Sequence, residues 1–72
     1  MLVFAAMMGK TWTVEVEPST TVGELKVFIQ DKSGVPPAQQ HWVYAGKSLA
    51  DDDAPLSQYD VQHDATLHAI LR

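Results

Sequence analysis

Seventy-two residues carrying five Lys+Arg, nine Asp+Glu and a net charge of −4 describe a single small acidic domain, too short to divide into two cores. That balance argues against a nucleic-acid or anionic-membrane surface as the main partner, because phosphate binding needs a local excess of cations. With no cysteine there is no disulfide, no Cys-ligated zinc and no thiol chemistry, and a hydrophobic content of 46% is too high for a disordered chain.

The longest apolar run, residues 1–8, falls far short of the roughly 18 residues a membrane span requires. It also lacks the basic start and small-residue cleavage site of a secretory signal. The expectation is one soluble domain over residues 1–72, monomeric, cytoplasmic or nuclear.

In chain order, residues 1–6 are apolar on both alternating sets, and residues 10–17 alternate cleanly with Trp12, Val14 and Val16 on one face. Period two with β-branched and aromatic residues marks a half-buried strand. Met7, Met8 and Gly9 between them read as the connection of a β-hairpin, and Pro18 ends the ladder because it has no backbone donor. From Thr21 the period changes. Thr21 and Glu24 have capping-box spacing, and Val22, Leu25 and Ile29 lay one apolar stripe. Gly34 suits a left-handed C-cap and Pro36-Pro37 forbids continuation, which sets a helix over residues 22–33. Gly23 in its first turn reads as a mild defect.

Residues 38–40 read as a single helical turn, residues 41–44 as a strand, and Ala45-Gly46-Lys47 as a tight turn into a short strand at Ser48-Leu49. The run Asp51, Asp52, Asp53 reads as a solvated loop, residues 55–59 as a short helical turn, and residues 66–72 as a last strand. The order ββ-α-β-β-β fits an α+β domain in which a mixed sheet covers one helix.

Several stretches resemble the ubiquitin family in order and nearly in register: Gly9-Lys10-Thr11, Val16-Glu17-Pro18-Ser19, Ile29-Gln30-Asp31-Lys32, Pro36-Pro37, Gln39-Gln40, Ala45-Gly46-Lys47, Leu56-Ser57 with Tyr59, Thr66-Leu67-His68 and Leu71-Arg72. The likeness runs over the whole chain and is nearest to ubiquitin itself, with one residue fewer in the first hairpin and one more before Pro55. It implies the β-grasp fold, a five-stranded mixed sheet clasping one α-helix. It also implies a core of Val3, Ala5, Trp12, Val14, Val16, Val22, Leu25, Ile29, Trp42, Leu49, Leu56, Val61, Leu67 and Ala69. Two tryptophans stand where the family has aliphatic residues, and in that topology Ala5 lies across from Trp12 and Ala69 beside Trp42. Each Trp is expected to fill the space its Ala vacates, since volume-conserving exchanges are tolerated.

The same topology turns His41, Val43, His68 and Ile70 outward together, with Met8 at the hairpin tip. Exposed apolar residues clustered on a small acidic domain mark an interaction surface, and methionine adapts to varied partners. Strand propensity alone is the competing account of Val43 and Ile70. By resemblance this is the family's main docking patch, completed by Lys47 and Arg72. Leu2, Phe4 and Thr11 resemble its smaller phenylalanine-centred patch, and packing against another domain would explain them equally well. His41 replaces the arginine by which the family grips conjugating and deconjugating enzymes, and imidazole is no substitute for a permanent bidentate cation. Lys47 is either a chain acceptor or a solubilising turn residue.

There is no glycine-rich phosphate loop, no nucleophile elbow, no calcium loop and no third ligand for His41 and His68. No enzyme activity, cofactor or metal is therefore expected. The leading expectation is a non-catalytic interaction domain of the ubiquitin–proteasome system, with ubiquitin-binding domains, proteasome receptors or ubiquitin-processing enzymes as partners. The alternative is a covalent modifier, a diverged or engineered ubiquitin ending before the family's C-terminal Gly-Gly.

Overall fold

The structure, a computed structural model, describes residues 1–71. Its strands are β1 (Leu2–Met7), β2 (Lys10–Glu15), β3 (Gln40–Tyr44), β4 (Lys47–Ser48) and β5 (Thr66–Leu71), and its helix is α1 (Val22–Ser33). Short 3-10 turns cover Pro37–Gln39 and Leu56–Tyr59. The sheet order is β2-β1-β5-β3-β4, with β1 and β5 parallel and the other neighbours antiparallel. This is the five-stranded mixed sheet with one helix that the resemblance implies, a β-grasp fold.

The helix forms where its caps dictate. The Thr21 side chain accepts from the Glu24 amide at 3.2 Å, while the Glu24 carboxylate accepts from the Thr21 amide at 3.1 Å. Two otherwise orphaned donors are thus satisfied reciprocally. Gly34 closes the other end at φ 79°, its N–H donating to the Gln30 carbonyl.

The aspartate loop does more than face water. The Asp52 carboxylate takes the ammonium of the nearly buried Lys26 at 2.6 Å, and the Asp52 carbonyl accepts from the Gly23 amide at 2.9 Å. A Cβ at position 23 would stand 3.1 Å from that carbonyl, so Gly23 allows a close approach of two backbones rather than being a defect.

Three core expectations change. The first hairpin is closed by Met8 and Gly9 alone, both at positive φ, so Met7 belongs to β1 and is buried at 2% exposure. Trp12 and Ala69 are only half-buried. For Trp12 the reason is topological: β2 is an edge strand, and its inner face is covered from one side only. The expected pairings of Ala5 with Trp12 and Ala69 with Trp42 are present in the register, but of the two tryptophans only Trp42 is sealed from solvent.

Trp42 owes its place to Gln40, a buried polar residue at the start of β3. The indole N–H donates to Gln40 Oε1 at 2.9 Å, and Gln40 Nε2 donates to the carbonyls of Lys26 and Val35, each at 2.9 Å. One side chain therefore ties β3 to the middle of α1 and to the loop beyond it. A buried network of this kind is favourable only when every member is satisfied. Replacing Gln40 by leucine leaves the Trp42 N–H and two carbonyls without that partner. Gln40→Leu is expected to lower unfolding stability by at least ~2 kcal/mol in urea titrations, even though volume is conserved.

Candidate functional site

The position of β5 determines what the sheet shows to solvent. Strand residues alternate faces, so pairing fixes which side chains share a surface. His68 lies opposite Val43 on β3 and alongside Ala6 on β1, while Ile70 lies opposite His41. Ala6 pairs onward to Thr11, and Val43 to Ser48. One row thus crosses all five strands: Thr11, Ala6, His68, Val43, Ser48. The intervening residues Leu67 and Trp42 point the other way and are fully buried.

On the outer face Ile70 is 60% exposed, His68 is exposed, and Val43 and His41 are half-buried. Met8 projects from the hairpin tip at 68% exposure. Pairing of β1 with β5 stops at Ala6 and His68. Beyond that point an open hollow of about 390 Å³ separates the tip from β5, with Met8, Thr11 and His68 on its walls. His41 Nε2 is 3.2 Å from the Ser48 hydroxyl, which ties the ring toward β4. Ser48, not foreseen from the sequence, therefore completes the row at the far edge. Its only signal was its place two residues after Gly46, in a strand too short to show a period.

The structure does not bring every candidate together. Lys47 pairs with Tyr44, one register position off the row, so it belongs to the opposite face of the β4 edge. Its ammonium is 3.8 Å from the Asp60 carboxylate. Arg72 lies outside the described residues. His41 and His68 are diagonal, not opposite, since His41 faces Ile70. No group of three His, Cys, Asp or Glu residues among the described residues could hold a metal ion.

Leu2, Phe4 and Thr11 do share the outer face, but they do not form a separate island. Phe4 pairs with Thr13 and Thr66, and Thr11 joins the central row through Ala6. Leu2 is anchored from outside the sheet, its amide donating to His63 Nδ1 at 3.1 Å. The two expected patches are one continuous surface.

Charge is distributed unevenly. Among the described residues Glu15 is the only carboxylate in any strand, and it is engaged by the N-terminal ammonium at 3.2 Å, beside Leu2 and away from His68. The centre of the outer face is thus free of acidic groups in a chain of net charge −4. An apolar, carboxylate-free area bordered by imidazoles can shed water without stranding a buried charge, which is what protein docking requires.

The sequence profile of the Ubiquitin family matches residues 2–72. The chain belongs to the ubiquitin family. It is 31% identical over 65 residues to the ubiquitin-like protein NEDD8 of Dictyostelium discoideum, a match covering 90% of this chain and 83% of that protein. Ubiquitin-like protein 1 of Schizosaccharomyces pombe is 35% identical over 65 residues, 90% of this chain and 82% of its own length. Ubiquitin-like protein 4A of Esox lucius is 32% identical over all 72 residues, which make up 46% of that longer protein.

The two faces of β5 make the assignment testable in this ubiquitin-family domain. Ile70→Ala is expected to change unfolding stability by no more than about 0.5 kcal/mol, as for an exposed site. Leu67→Ala, three residues away on the buried face, is expected to cost about 2–5 kcal/mol in the same denaturant titration.

Proposed function

We propose that this chain is a non-catalytic interaction domain of the ubiquitin–proteasome system, acting as a monomer in the cytoplasm or nucleus. It docks partners through Met8, Val43, His68 and Ile70, with His41 and Thr11 at the margin. The observation that carries the reading is the acid-free centre of the outer face, where Ile70, and Met8 at the adjoining hairpin tip, hold 60% and 68% of their surface in water. A partner presenting an amphipathic helix or a small apolar face would remove that surface from water without having to neutralise a charge. Ubiquitin-binding domains, proteasome receptors and ubiquitin-processing enzymes are the partner classes. The area is small, so affinity is modest. Leu2 and Phe4 extend the contact toward the start of β1 for larger partners.

One observation favours a second reading, a covalent modifier. The NEDD8 and ubiquitin-like protein 1 matches cover 83% and 82% of those proteins, chains little longer than this one. The match to ubiquitin-like protein 4A, a part of a longer protein, favours the interaction domain instead. His41 also supports the interaction reading, since an imidazole hydrogen-bonded toward Ser48 does not offer the bidentate cation that the family presents to its conjugating enzymes.

The test is calorimetric titration with a synthetic ubiquitin-interacting helix. The wild-type chain is expected to bind, and Ile70→Ala to weaken binding by about tenfold, the loss typical of one central apolar contact. Equal binding by the variant overturns the site, and no binding by the wild type overturns the docking reading. For the second reading, the chain extended by Gly-Gly is incubated with ATP and family activating enzymes. A thioester adduct would replace the interaction reading with the modifier.

A further inference from the structure

The chain contains no cysteine, so its sulfur chemistry is that of three methionines, and their surroundings differ sharply. Met1 packs against the core, with its side chain 13% exposed. Met7 ends β1 on the inner face at 2% exposure, while Met8, the next residue, is 68% exposed. The turn explains the contrast. Met7 pairs with Lys10, which leaves Met8 and Gly9 alone to reverse the chain, at φ 55° and 76°. A two-residue turn with positive φ at both positions follows the twist of its strands and has no slack, so Met8 cannot swing inward beside Met7.

Met8 also borders the hollow of about 390 Å³ between the hairpin tip and β5. Lys10, Thr11 and His68 line the same hollow and bring to it an ammonium, a hydroxyl and an imidazole. A thioether is a weak acceptor and makes little use of such donors. Oxidation to the sulfoxide turns a flexible apolar side chain into a polar, chiral one, with an oxygen that accepts hydrogen bonds. In that form the Met8 side chain is matched to water and to the donors of the hollow. Covering it with an apolar partner strips the oxygen of both, and a buried acceptor without a donor carries a desolvation cost.

We propose that Met8 is a reversible oxidation site, at which a hydroperoxide weakens docking to the outer face; the effect on docking rests on the interaction reading above. The sulfur lone pair attacks the terminal peroxide oxygen, and an S–O bond forms as the O–O bond breaks. The departing oxygen takes the proton of the attacked one and leaves as water or an alcohol. Sulfur is oxidised by two electrons and the peroxide is reduced by two. A dithiol reductant reverses the change, its thiols ending as a disulfide and the sulfoxide oxygen as water. The fold is unaffected, because Met8 lies outside the core cluster, whereas Met7 is sealed within it and protected.

The folded chain is treated with dilute hydrogen peroxide, and the product is titrated calorimetrically with the synthetic ubiquitin-interacting helix. All three methionines fall in the tryptic peptide of residues 1–10, where fragmentation in a mass spectrometer tells them apart. Met8 is expected to gain one oxygen about tenfold faster than Met7 or Met1. The oxidised chain is expected to keep its dispersed amide spectrum and to bind the helix about tenfold more weakly. A dithiol-driven methionine sulfoxide reductase is expected to restore the binding. Met8→Leu, whatever its own affinity, is expected to lose none of it on the same treatment. Several results overturn the switch: oxidation of Met7 or Met1 as fast as Met8, unfolding of the oxidised chain, or unchanged binding after complete oxidation of Met8. Binding that the reductase does not restore, or an equal loss in the treated Met8→Leu chain, overturns it as well. Absence of binding before any treatment overturns the docking reading itself, and the switch with it.

Discussion

Everything this domain shows to solvent depends on β5 threading between β1 and β3, parallel to one and antiparallel to the other. Side chains alternate with a period of two, so a slip of one residue would bury His68 and Ile70 and expel Leu67. Leu67 prevents that slip from inside, since it is wholly buried in the main cluster. Gln40 holds the neighbouring strand in phase by tying β3 to α1 and accepting the Trp42 indole. The inner network thereby positions the outer face, and a contact invisible from outside decides which residues a partner would meet.

One consequence follows for how a 72-residue acidic chain can bind other proteins. Its carboxylates lie outside the sheet centre, in loops, on α1 and at the end of β2, which leaves the middle of the outer face apolar and bordered by histidines. Association of the proposed kind there would be driven by desolvation, without the cost of burying an unpaired charge.

Local signals carried much of this architecture. The Thr21/Glu24 box, the stripe of Val22, Leu25 and Ile29, and Gly34 before two prolines place the helix at the bounds observed, because caps and breakers act within a few residues. Alternation over residues 10–17 likewise put Val14 and Val16 on one face, whereas the family resemblance assigned Trp42 and Val43 to theirs. Long-range facts were less accessible. Gln40 reads as a polar turn residue until the fold sets α1 and Val35 around it, and Asp52 reads as solvated until Lys26 arrives from the helix. Trp12 belongs to the core by periodicity but lies on an edge strand, and no local pattern reports an edge. Lys47 was joined to the patch by resemblance, whereas its register partner Tyr44 is one position off the row of Val43 and Ser48. The exposure of Phe28 was equally hidden, since a phenylalanine off the helical stripe becomes informative only when its surroundings are known.

The central claim is that Val43 and Ile70 are covered when a partner docks. Attenuation of methyl signals by a soluble gadolinium chelate measures this directly, in the free chain and after saturation with a ubiquitin-interacting helix. Protection of the Val43, Ile70 and Met8 methyls in the complex, with the Val27 methyls on α1 as accessible as before, is the predicted result. Unchanged attenuation at Val43 and Ile70 under saturating helix would contradict the account.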